Sequence, residues 1–205
     1  YLWKVGFNRD YFVLLTGHAY PILLIHALIY RFLPFPITLL FLQALATSIA
    51  AIPLYSIAKK KLKTKFPLII VLSYFLYFSV EYNFIFDFHP DHMIIPVLLF
   101  SFYFLEEKKI WQFTVTCFIG MLLKEPFILS ICMLSLYSIV KHKNYKWGAL
   151  TLIIGFAIFL FIVNTVLPFF ASKPTFIQSA PFTGLGNSVF NMLINIITKP
   201  LIIIS

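Results

Sequence analysis

A chain of 205 residues, 61% hydrophobic and only 11% charged, carries more apolar surface than a soluble core of that size can hide. Its mean hydropathy of +0.94 excludes an ordinary soluble domain, in which about 25% of residues are charged; lipid is the solvent that accommodates the surplus. The net charge of +9 does not indicate nucleic acid, because the positive residues sit in short clusters between apolar runs, as cytoplasmic loops of membrane proteins do.

Residues 1–36 read as an outer segment. Arg9 and Asp10 interrupt its start and no small-residue cleavage site follows, so it is no signal peptide. The chain begins without Met and stops inside the apolar run Leu201 to Ile204, the pattern of a fragment truncated at both ends. Tyr20 to Leu33 is too short to span. Punctuated by Pro21, His26 and Arg31, it predicts an amphipathic helix lying at the outer interface.

Spanning runs occupy residues 37–170. The first is Ile37 to Ala58, closed by Lys59, Lys60, Lys61, Lys63 and Lys65. Phe66 to Phe86 follows, then the polar break from Asp87 to His92. Met93 to Leu105 ends at Glu106-Glu107-Lys108-Lys109. Ile110 to Leu123 leads to Lys124-Glu125-Pro126, Phe127 to Val140 returns to Lys141, Lys143 and Lys146, and Trp147 to Phe170 is the last complete run. Residues 171–205 form an outer loop and the start of a further helix. The fold class is all-α: one polytopic membrane domain with about six spans plus an interfacial helix.

Alternating the spans puts five, two and three lysines in the loops assigned to the cytoplasm. The outer loops hold Lys124, Lys173 and Lys199, and the N-terminal segment adds Lys4, Arg9 and Arg31. The asymmetry orients the polar cluster outward. Three runs have only about 13–14 residues, roughly 20 Å at 1.5 Å per residue, against a core about 30 Å thick. Their helices must extend into polar flanks, drawing Asp91, His92, Lys124 and Glu125 toward membrane depth.

Glu106 and Glu107, beside Lys108 and Lys109, read as an ordinary solvated loop. The other five acids, Asp10, Glu81, Asp87, Asp91 and Glu125, map to the outer side, as do His18, His26, His89 and His92. Asp87, His89, Asp91 and His92 could bind a divalent metal or move protons. Equally, Pro90 suits a first helical position and Asp91 the positive end of its dipole. Lys124 could hold a phosphate with Glu125 as base, or the two could neutralise each other. His18 is either a ligand or an interfacial residue. Cys117 and Cys132, inside apolar runs, read as small buried hydrophobes.

The order His18-Ala-Tyr-Pro21, Pro53-Leu-Tyr55 with a basic loop, Phe86-Asp-Phe-His-Pro-Asp91 and Lys124-Glu125 resembles the membrane-protein family called domain of unknown function 2079. The resemblance spans roughly residues 15–170. His-Ala-Tyr-Pro replaces His-Phe-Ser-Pro, and Pro126 stands where an acid is common. The family's layout is similar to that of C-type membrane glycosyltransferases. By that analogy the chain sits in the cell membrane of a prokaryote and uses a polyprenyl-phosphate-linked sugar at the extracytoplasmic face. Asp87, His89, Asp91 and Glu125 would be catalytic, Lys124 and His18 substrate-binding, with a divalent metal an open option. A secondary transporter would instead show mid-span charges and repeats; a non-catalytic scaffold would pair its outer polar residues among themselves.

Overall fold

The computed structural model describes residues 18–62, 66–85 and 87–167 and the single positions 191, 194, 195 and 198. Every regular element among them is helical. Apart from those four positions, the expected outer loop and further helix after residue 170 lie outside the described residues, as do the charges Lys4, Arg9, Asp10, Lys63, Lys65, Lys173 and Lys199 and Phe86 of the quoted motif. The chain divides into two compact units, Tyr20–Phe159 and a second comprising Tyr1–Ala19 with Leu160–Ser205.

In the larger unit α1 (Leu23–Phe32) matches the short helix expected ahead of the first span. Pro36 then opens α2 (Pro36–Ile49), with Phe35 extended before it, as the residue preceding proline must be. α3 (Ala51–Leu62) follows after a single residue. Pro53 cannot donate to the Ile49 carbonyl and its ring crowds that group, which loosens the chain at Ala50 without ending the helix. The apolar run Pro36–Leu62 therefore has 27 residues, about 40 Å, enough to cross a bilayer.

The expected single span from Phe66 to Phe86 is two helices. Pro67 starts α4 (Pro67–Phe75), and α5 (Phe78–Ile85) begins after a break at Leu76 and Tyr77. The run around the break is rich in Tyr, Phe and Ser, weaker helix formers than Leu or Ala. Tyr74 donates to the Thr47 carbonyl at 2.9 Å, fastening α4 to α2 just before the break. Each piece reaches about 13 Å.

A 3-10 turn, Pro90–Met93, leads into α6 (Ile94–Glu106), followed by α7 (Ile110–Met121), α8 (Glu125–His142) and α9 (Tyr145–Phe161). Connections of two or three residues make these neighbours antiparallel. The α6–α7 and α8–α9 turns each hold a lysine in left-handed conformation, Lys108 at φ 57° and Lys143 at φ 54°. There Lys109 N–H donates to Phe104 O and Asn144 N–H to Ser138 O, closing carbonyls that the helix ends leave open. Among the described residues two helices are long and apolar enough to cross a membrane: Pro36–Leu62, and Tyr145–Val166 with 22 residues.

Leu105, Phe113, Leu123, Ile128 and Ile131 are fully buried, but polar side chains share that interior and many large apolar ones face outward. Gln43, Thr47, Ser101, Thr114, Ser135, Ser138 and Thr151 are buried, while Leu24, Ile37, Phe41, Leu68 and Ile153 are exposed. The buried hydroxyls join helices: Ser101 donates to Thr116 at 2.9 Å between α6 and α7, and Thr151 to Ser135 at 2.8 Å between α9 and α8. Small residues let the backbones close in, as membrane helices require. A Cβ on Gly148 would stand 2.7 Å from Ile139 Cγ1 and 3.2 Å from the Ser135 carbonyl. Cys117 and Cys132 are buried free thiols, as expected.

At the Lys108 end of the unit, Lys60 meets Glu107 at 2.7 Å, Lys61 pairs with Glu106, and His142 lies 3.3 Å from Glu106. Glu106 and Glu107 thus bind α3 and α8 to α6, where the local sequence suggested only a solvated loop. In the smaller unit, the last residues of α9 pass into a π turn, Ile162–Val166, in which Asn164 Nδ2 donates to the Leu160 carbonyl at 2.9 Å.

Candidate functional site

Four segments of the larger unit meet where α7 turns into α8. Ile22 N–H donates to Leu122 O at 2.8 Å, pinning the residues ahead of α1 onto that turn. Tyr20 is thereby carried to Lys124, whose Nζ lies 5.1 Å from the centre of the tyrosine ring. Lys124 precedes the first residue of α8 with extended backbone and makes no capping bond. Its side chain reaches sideways, and Nζ donates to Asp91 Oδ2 at 2.9 Å. The side chains keep 14% and 34% of their full exposure, so the pair is shielded but reachable.

The loop that presents Asp91 is held from below. Gln43, buried in α2, accepts the His89 backbone N–H on Oε1 at 2.8 Å. His89 is extended before Pro90, which opens the 3-10 turn with Asp91 in its first turn. His26 of α1 packs against Phe88 at 5.2 Å between ring centres. His89 Nδ1 lies 2.9 Å from Asp87 O, and His92 Nδ1 lies 2.9 Å from His89 O. Each ring thus directs Nδ1 at its own loop. Among the described residues no three His, Cys, Asp or Glu side chains converge as a metal would require.

The electrostatics favour a charged pair. Burial works against the Lys124 ammonium, but its hydrogen bonds to Asp91 and Tyr20 outweigh that, and the lysine titrates above its ordinary range. Burial raises the Tyr20 hydroxyl. His92 is pushed below the ordinary histidine value, chiefly by burial and further by His89, against the pull of Asp91. Asp91 Oδ1 is closed off from solvent and has no hydrogen-bond partner among the described residues.

Residues 6–205 match the family model described as predicted membrane protein, DUF2079. The chain belongs to the DUF2079 family. No curated protein and no solved structure matches it.

Of the six residues singled out from this DUF2079 sequence, Asp91 and Lys124 come together directly. Glu125, next to Lys124, is buried at 2% exposure and starts α8, where a carboxylate favours the helix dipole. Asp87 and His89 lie exposed on the loop leading to Asp91. His18 belongs to the smaller unit and is half-buried. Sequence reasoning missed Tyr20 and Gln43. Gln43 had a visible signal: it is the one amide in the run from Ile37 to Ala58. In the sequence Tyr20 is merely the start of the interfacial segment, and only the fold over the α7–α8 turn reveals it as a partner of Lys124.

Proposed function

We propose that this DUF2079 protein is a membrane glycosyltransferase that takes its sugar from a polyprenyl phosphate at the extracytoplasmic face. The observation that carries the reading is the shielded Lys124–Asp91 pair, in which one carboxylate oxygen has no partner among the described residues. An ammonium has three N–H donors. Asp91 and Tyr20 engage Lys124, which leaves one N–H for a phosphate oxygen. The Asp91 carboxylate, about one-third exposed, takes the proton of the acceptor hydroxyl as general base. The acceptor oxygen then bonds to the sugar's anomeric carbon. The bond from that carbon to the phosphate oxygen breaks, and its electron pair leaves with the polyprenyl phosphate, whose charge Lys124 stabilises. Glu125 orients Lys124 from the next position, and Asp87 and His89 assist from the loop.

The pair also joins two loops, which favours a second reading: a non-catalytic scaffold. One experiment separates them. Full-length wild type, Asp91→Asn, Lys124→Met and the charge swap Asp91→Lys with Lys124→Asp are expressed at equal inserted levels, and lipid-linked sugars and surface glycans are profiled. The transferase reading expects a lipid-linked sugar to accumulate in all three variants, the swap included. Restoration of the wild-type profile by the swap would sink it in favour of the scaffold.

A further inference from the structure

The end of the larger unit remote from Lys124 carries chemistry that the proposed transfer does not use. Lysines end α3 and α8 there, Lys108 sits in the turn after α6, and Lys109 and Lys146 stand at the starts of α7 and α9. Among the described residues two carboxylates face them, Glu106 and Glu107, and these are engaged by Lys61 and Lys60. The positive excess falls on the starts of α7 and α9, neither of which has an acidic residue in its first turn. Helix starts ordinarily favour negative charge; here they carry Lys109 and Lys146.

Aromatic rings accompany these two cations. Trp111 of α7 and Trp147 of α9 meet edge to face, 6.1 Å between ring centres. Lys146 Nζ stands 5.4 Å from the Trp147 ring and Lys109 Nζ 5.7 Å from that of Tyr103. Trp111 is 65% and Tyr145 63% exposed. Tyr145 is the first residue of the apolar helix Tyr145–Val166, so the tryptophan pair stands at its polar end, at headgroup depth. The exposed Trp111 indole and the half-buried Trp147 indole, with the Lys146 ammonium next to Trp147 and Lys109 two residues before Trp111, complement a phosphodiester borne on acyl chains better than a free anion, which has no use for the rings.

We propose that Lys109, Lys146, Trp111 and Trp147 form a docking surface for the headgroup phosphate of an anionic phospholipid. The inference is independent of the transferase reading. Each lysine near an anionic surface strengthens binding about fivefold, roughly thirtyfold for two.

The test uses purified full-length protein in neutral detergent, with retained lipid counted by native mass spectrometry. Phosphatidylglycerol, phosphatidylcholine and inorganic phosphate are the probes. Wild type is expected to retain phosphatidylglycerol over phosphatidylcholine, Lys109→Gln with Lys146→Gln to bind it roughly thirtyfold more weakly, and Lys109→Arg with Lys146→Arg to restore it. Equal retention of the two lipids by wild type overturns the proposal without any variant. So does undiminished phosphatidylglycerol binding by a folded glutamine variant, or failure of the arginine variant to restore it. Displacement of the lipid by equimolar inorganic phosphate would mark a small-anion site and overturn the lipid assignment.

Discussion

At the residue scale, Lys124 and Asp91 depend on each other. Lys124→Met leaves the Asp91 carboxylate shielded and without its cation, with Tyr20 as its remaining partner. Because both side chains keep some exposure, the loss falls below the 3–5 kcal/mol of a fully buried pair, at about 1–2 kcal/mol, read by thermal unfolding in detergent. Gln43→Leu removes the acceptor of the His89 N–H and costs about 1 kcal/mol. It should also lower any activity that needs Asp91 in place; unchanged stability and activity would show that the loop holds without it. His92 adds a pH dependence. Its folded pKa lies below the ordinary 6.5, so the unfolded chain takes up the proton first. The stabilisation is complete above 6.5 and is lost as pH falls through the folded value. Melting curves of wild type and His92→Asn between pH 7.5 and about 5 should converge in shape only if another group is responsible.

At the element scale, the helix crossings rest on glycine and hydroxyl pairs. Gly148→Leu forces a side chain against Ile139 and the Ser135 carbonyl and should cost about 1–3 kcal/mol. Gly148→Ala, displacing mainly the Ile139 side chain, should cost less. Equal melting of both variants and wild type would mean that the α8–α9 crossing is looser than described. Much of this level was legible in the sequence. The apolar runs before Lys59, Glu106 and Lys141 became α2–α3, α6 and α8, because hydrophobic length and charged ends are local properties. The division of Phe66 to Phe86 was not legible, since no Gly or Pro marks Leu76 and Tyr77, and the Tyr74–Thr47 bond beside the break comes from another helix. Glu106 likewise appeared to answer Lys108 and Lys109 beside it, whereas folding gives it Lys61 and His142. Asp91 and Lys124 were chosen for their residue types; their meeting depends on a 33-residue separation that no local pattern encodes.

At the scale of the whole molecule, the short connections between α6, α7, α8 and α9 put the Asp91–Lys124 end and the lysine-rich end at opposite ends of the helices. If the helices cross lipid as proposed, single cysteines at Asp87 and Lys143, both exposed, should react with an impermeant thiol reagent from opposite faces, Asp87→Cys from outside and Lys143→Cys only in permeabilised cells. Cys117 and Cys132 are buried and give little background. Labelling of both sites from one face would refute the alternating arrangement. The left-handed turns have a meaning of their own here. Lys108 and Lys143 adopt a backbone in which a side chain costs about 1 kcal/mol relative to glycine. Glycine would suit the finished fold better, but it would strip a positive charge from connections only a few residues long. Such charges are read while the chain is being threaded into the bilayer, before any helix pair exists. If the helices cross lipid as proposed, the folded protein retains at these two positions, as backbone strain, an instruction addressed to its own insertion.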